Sequence, residues 1–161
     1  AIREFANFSS YMNSRYKGYS TDGIMSVLSL ALLCVGGFIY VLYRPRNILL
    51  FDFLDECDLM PVVDTLRQGV SNVRLPSFFV YSLPAGLWTA SYLLMMHRNT
   101  KCHSSRLKLM VCLPLPMSAV VLEFMQLYGW CPGTFDVNDL ICYIIPILIF
   151  INSIYNEKAE H

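Results

Sequence analysis

In the stretch VLEFMQLYGWCPGTFDVNDLICYIIPILIF, residues 121–150, four side chains have types and spacings that could do chemistry. Glu123 and Gln126 stand three apart at the end of one apolar run, and Asp136 and Asp139 stand three apart at the start of the next. Residues three apart share a helix face. A GWCPG turn joins the two runs, so the helices must be antiparallel neighbours with three carboxylates and an amide near one rim. Like charges at that separation shift one another's titration or recruit a cation. An acidic rim of this kind suits a cationic group, a cation bridging to phosphate, or sugar hydroxyls. Each pair also has a plainer explanation. Asp136 and Asp139 can cap a helix N-terminus and complement its dipole. Glu123 lies five residues before Tyr128, roughly one to one and a half turns from the surface. There it could be wet, or join two helices by a hydrogen bond. Capping does not account for Glu123, because a carboxyl on an apolar helix usually faces a bundle interior or a water-filled cavity.

The elements that must position these groups follow from composition. The chain has 161 residues, 55% hydrophobic and only 15% charged, against about 25% charged in ordinary soluble domains. Twelve basic and twelve acidic residues balance, which gives no footprint for nucleic acid. Residues 24–43 and 77–96 are each twenty residues without a charge, the length that crosses a hydrocarbon core of ~30 Å. Residues 107–128 form a third span, with Lys108 and Glu123 toward its ends and Pro114 and Pro116 inside. Residues 137–155 form the fourth. The expected fold is therefore an all-α membrane protein with four transmembrane helices in one domain, residues 24–161, preceded by an interfacial segment, residues 1–23. Pro84 predicts a kink in the second span.

Lys and Arg orient the bundle. Arg98, Lys101, Arg106 and Lys108 lie between spans two and three, Arg3, Arg15 and Lys17 precede span one, and Lys158 follows span four, eight on one side. Arg44, Arg46, Arg67 and Arg74 make four on the other, with the flank at Arg44 and Arg46 mildly opposing the assignment. Both termini are expected in the cytoplasm and the acidic rim outside. In residues 1–21, Ile2, Phe5, Phe8, Tyr11 and Tyr16 recur at near-helical spacing among basic residues, as in an amphipathic interfacial helix or a frayed tail. The outer loop, residues 44–76, predicts one or two short helices, the second opened by Pro61 and closed near Gly69.

Cys34, Cys112 and Cys142 fall in spans as small apolar fillers. Cys57 and Cys131 share the outer side, where a disulfide is chemically open to them. His97 and His103 belong to the basic loop and read as solvated; no zinc spacing, P-loop, GxGxxG or GxSxG is present, so no metal or cofactor is expected and no catalytic residue can be named. Tyr128, Trp130 and Tyr143 read as interfacial belt residues. Trp88, in LPAGLW, reads as close helix packing beside the kink, with a groove as the lesser alternative.

The order Glu123, Gln126, Pro132, Gly133, Thr134, Phe135, Asp136, Asp139, Leu140 resembles the VanZ-like family of small bacterial membrane proteins, named for an association with teicoplanin resistance. LPAGLW resembles a stretch of one subgroup. The pattern departs at Gly133 and Tyr143, where the family often has arginine and asparagine. The resemblance implies a bacterial cytoplasmic membrane and an envelope setting, and implies no reaction. Three readings follow: a non-enzymatic protein that binds a lipid headgroup, an amphiphile or a protein at the rim; an accessory subunit of a larger membrane complex; or an intramembrane enzyme on lipid or peptidoglycan precursors, with Glu123 or Asp136 as acid or base.

Overall fold

A computed structural model describes the backbone of residues 2–46 and 49–159 and the side chains of residues 23–46 and 50–156. The described residues form eight helices and no strand. They are α1 (Ile2–Tyr43), α2 (Leu49–Glu56), α3 (Met60–Val70), α4 (Ser77–Tyr81), α5 (Leu83–Asn99), α6 (Ser105–Cys112), α7 (Pro114–Leu127) and α8 (Val137–Ala159). The side chains of the expected interfacial helix, residues 1–21, lie outside the described ones.

Two segments, Gly23–Tyr43 and Val137–Asn156, are each long and apolar enough to cross a membrane. The third expected span is broken. α6 and α7 meet at an angle of 45°, because Pro114 and Pro116 carry no N–H to return to the carbonyls of Met110 and Cys112. Counted together they make a third candidate. The second expected span is also divided, into α4 and α5 at Ser82, two residues before Pro84. The outer faces of these helices are apolar and uncovered, with Ile24, Val27, Leu30, Phe38, Leu148 and Ile149 all exposed. A chain that leaves so much hydrocarbon uncovered is a membrane protein.

α5 is the central helix, packed against α1 on one face and α8 on another. Its contact with α1 is tied by a reciprocal serine pair: Ser29 Oγ donates to the Ser91 carbonyl at 2.9 Å, and Ser91 Oγ to the Ser29 carbonyl at 2.8 Å. Buried hydroxyls without water need such partners, and here they lock register between the helices. Arg98 donates to Ser26 Oγ at 2.6 Å one turn nearer that end. At the other end Trp88 lies so close to Gly36 that a Cβ there would meet Nε1 at 2.7 Å. Trp88 is thus a packing residue, as LPAGLW suggested.

The contact with α8 is closest where Gly86 meets Cys142, at which a Cβ would come within 3.0 Å of Cys142 Cβ and 3.1 Å of its carbonyl oxygen. Pro146 sits inside α8 and has no N–H for the Cys142 carbonyl. That freed carbonyl is the one Gly86 covers. Farther along, Leu93, Cys112, Val120, Ile147, Phe150 and Ile154 form the core between α5, α6, α7 and α8.

These contacts put the end of α1, the starts of α5 and α8 and the end of α7 at one end of the bundle, here called the rim end. α2 and α3 also lie there, through contacts of α3 with α1. α3 begins at Met60 with Pro61 in its first turn, as the sequence predicted. α2 closes on a Schellman turn, with Leu59 N–H donating to the Leu54 carbonyl at 2.9 Å and Asp58 at φ 55°.

The basic loop is shorter than expected, since His97, Arg98 and Asn99 extend α5. His97 is half-buried, edge-on to Phe150 with ring centroids 5.8 Å apart, and is not a solvated loop residue. Lys108 is only 4% exposed, so the loop's positive charges are not uniformly in water. All six cysteines are free thiols, Cys57 and Cys131 included.

Candidate functional site

The turn between α7 and α8 is built by local chemistry. α7 ends in a second Schellman turn: Gly129 N–H donates to the Gln126 carbonyl at 3.0 Å and Trp130 N–H to the Met125 carbonyl at 2.9 Å. That requires the left-handed backbone Gly129 adopts, at φ 71°. Gly133 is also left-handed, at φ 131°. The Gln126 amide lies beneath it, 2.7 Å from where a Cβ would be. The amide therefore packs against the turn. Tyr128 and Trp130 lean on one another, 5.7 Å between centroids, and are 68% and 74% exposed.

Asp136 is the N-cap of α8. Its Oδ1 accepts from Asn138 N–H at 2.8 Å and from Asn138 Nδ2 at 3.0 Å. In a capping box the acid three residues on would take the N-cap residue's own N–H. That acid is Asp139, and it does not do so. Glu123 does it from the neighbouring helix, its Oε2 accepting from Asp136 N–H at 3.4 Å. This long hydrogen bond gives the carboxyl of Glu123, 7% exposed on an apolar helix, one partner. Glu123 and Asp136 are therefore brought together, with Asp139 within electrostatic reach of Glu123.

Asp139, relieved of capping, turns elsewhere. Its Oδ1 is buried with no hydrogen-bond partner among the described residues. It lines a recess of about 320 Å³ with Tyr40, Arg44, Tyr81, Trp88 and Tyr143. Arg44 forms the facing charge. Its Nη2 donates to the Tyr81 carbonyl at 2.9 Å, its guanidinium lies over the Tyr40 and Tyr81 rings at 5.0 and 4.8 Å, and its Nε is buried without a partner. The Arg44 carbonyl is held by Arg67 Nη2 at 2.7 Å, which ties the corner to α3. Trp88 is wedged against Tyr40, 5.0 Å between centroids. No ion pair closes Arg44 onto Asp139 among the described residues. Tyr143 is half-buried and is a wall of this recess.

So the four residues singled out in the sequence divide. Glu123 and Asp136 hold the α7–α8 corner, Gln126 packs under its turn, and Asp139 alone reaches the recess. Arg44, Tyr40 and Tyr143 complete that recess and were not foreseen as a site. The available signal was Arg44 itself, a basic residue immediately after a charge-free span and level with the acids that open α8.

A second hollow, of about 520 Å³, lies on the other side of the α5–α8 crossing. Leu87, Ala90, Leu94, Ile145 and Ile149 are among its walls, with His97 and Ser153 at the end away from the rim. No family model, no curated protein and no solved structure matches the chain.

Proposed function

We propose that the chain is a four-span protein of a bacterial cytoplasmic membrane that binds the polar head of an amphiphile in the recess between Arg44 and Asp139. α4 with α5 would be the second span and α6 with α7 the third. The count of eight basic residues against four turns the rim end outward, and the resemblance to VanZ-like proteins agrees with an envelope setting. The observation that carries the binding reading is a pair of opposite charges facing one cavity, each with a buried polar atom unpaired. Buried polar groups are nearly always satisfied, so atoms like these call for a partner that is not part of the chain. The volume is at the lower end of the ~300–1,000 Å³ usual for small-molecule sites, which suits a headgroup more than a whole amphiphile.

Native mass spectrometry of the protein released from nanodiscs tests this. Wild type should carry one amphiphile per chain, and Ala85→Phe, which fills the recess from its wall, should lose it. A stoichiometric second protein with no retained amphiphile would replace this reading with that of an accessory subunit.

A further inference from the structure

We infer that the head this recess takes is zwitterionic, with a primary ammonium set on Asp139 and a phosphate or carboxylate set on Arg44. The inference rests on the recess being a binding site and names the class of ligand.

The walls carry one fixed positive and one fixed negative group, and these face a shared cavity without pairing. Charge balance then selects the occupant. An anionic head would satisfy Arg44 and leave the Asp139 carboxylate beside added negative charge in a poorly hydrated place. A cationic head would do the reverse at Arg44. A head with both signs satisfies each, and adds no net charge to a site whose own charges cancel. The two ends are chemically distinct. Arg44 is braced by the Tyr81 carbonyl and by two rings. Its planar guanidinium supplies the positive charge of the lining, the kind of group that oxyanions pair with best. The Asp139 carboxylate is an acceptor only, so its best partner is a donor that also carries positive charge. A primary ammonium supplies one and a quaternary ammonium has none. Tyr143 on the Asp139 side adds an aromatic wall of the kind that attracts cations. The recess is equivalent to roughly ten waters at ~30 Å³ each, room for a phosphoethanolamine or an amino-acid head.

The test places the full chain in phosphatidylcholine nanodiscs doped equally with phosphatidylethanolamine and phosphatidylglycerol, and reads by native mass spectrometry which lipid stays bound. Phosphatidylethanolamine should be retained about tenfold or more over both others, the effect of one charge-assisted bond. Arg44→Gln and Asp139→Asn should each erase that preference. The selectivity of the wild-type protein needs no variant, so misfolding of either would leave the test standing. In phosphatidylcholine discs without the other lipids, added phosphoethanolamine or glycine should bind if a soluble zwitterion is the source, and should fail to bind if an acyl anchor is needed. Preference for phosphatidylglycerol, or equal retention of phosphatidylcholine, overturns the zwitterion while leaving a binding site in place. Retention of nothing that Ala85→Phe removes overturns the site and the inference together.

Discussion

Two hollows flank the crossing of α5 and α8, and they differ in almost everything but their shared wall. The recess is lined by Arg44, Asp139 and four aromatic residues, the groove by apolar side chains, mostly aliphatic with Phe78 and Phe150 among them, and by a histidine and a serine at its far end. The difference follows from position along the helices. Arg44 is the first residue past α1 and Asp139 lies in the first turn of α8, so helix ends deliver both charges to the rim. The groove runs along helix middles, where a charge would have to be held in hydrocarbon at a cost of several kcal/mol. The closest approach at the crossing is Gly86 on Cys142, both of which line the groove.

Substitution there has the largest expected effect. Gly86→Leu would drive a side chain into the Cys142 Cβ at 3.0 Å and its backbone oxygen and Cα at 3.1 and 3.5 Å, and backbone in a helix cannot step aside. Overpacking of this kind costs about 1–3 kcal/mol. Gly86→Leu should lower the midpoint of thermal unfolding in detergent and abolish amphiphile retention. Gly37→Ala, with nothing within 4 Å of its Cβ, should leave both unchanged. Equal behaviour of the two variants would mean that the crossing does not hold the hollows apart.

The next effect is at Glu123. Removing its acceptor leaves the Asp136 N–H without its partner, at about 1–3 kcal/mol. Glu123→Ala should therefore destabilise, and Glu123→Gln, which keeps an oxygen in place, should recover most of the loss. Amphiphile retention measured at a temperature where both are folded should be normal in Glu123→Gln. If Glu123→Gln folds normally yet loses the amphiphile, the carboxylate belongs to the recess and its division from Asp139 is wrong.

How far the sequence revealed this arrangement depends on the range of the interaction involved. The Asp136 cap, the Pro61 start of α3 and the packing role of Trp88 were legible, because each is set by a few neighbouring residues. The breaks at Ser82 and at Leu113–Pro114 were half legible: the prolines marked the places, but not that the two expected spans would each be divided into two helices. The exchange of capping partners was not legible. The spacing of Asp136 and Asp139 fits a capping box, and only the approach of α7 shows that Glu123 has taken the second place. The recess was the least visible part. Arg44 and Asp139 are ninety-five residues apart, and only the packing of both α1 and α8 against α5 brings them to one cavity. Arg44 registered merely as a charge on the unexpected side of the membrane.

The smallest expected effect sharpens the contrast most. Ala90 lines the groove on α5 and takes no part in the recess. Ala90→Leu adds aliphatic carbon to an aliphatic hollow with space for it. Alanine and leucine both rank high in helix propensity. Stability should change by no more than about 0.5 kcal/mol in either direction. Retention of the amphiphile head should be unaltered, because Ala90 is no wall of the recess. Loss of the amphiphile from a folded Ala90→Leu protein would show that head and tail occupy both hollows together, passing around α5. The groove would then be the acyl half of a single site, and the chemical difference between the hollows would be the difference between the two ends of one ligand.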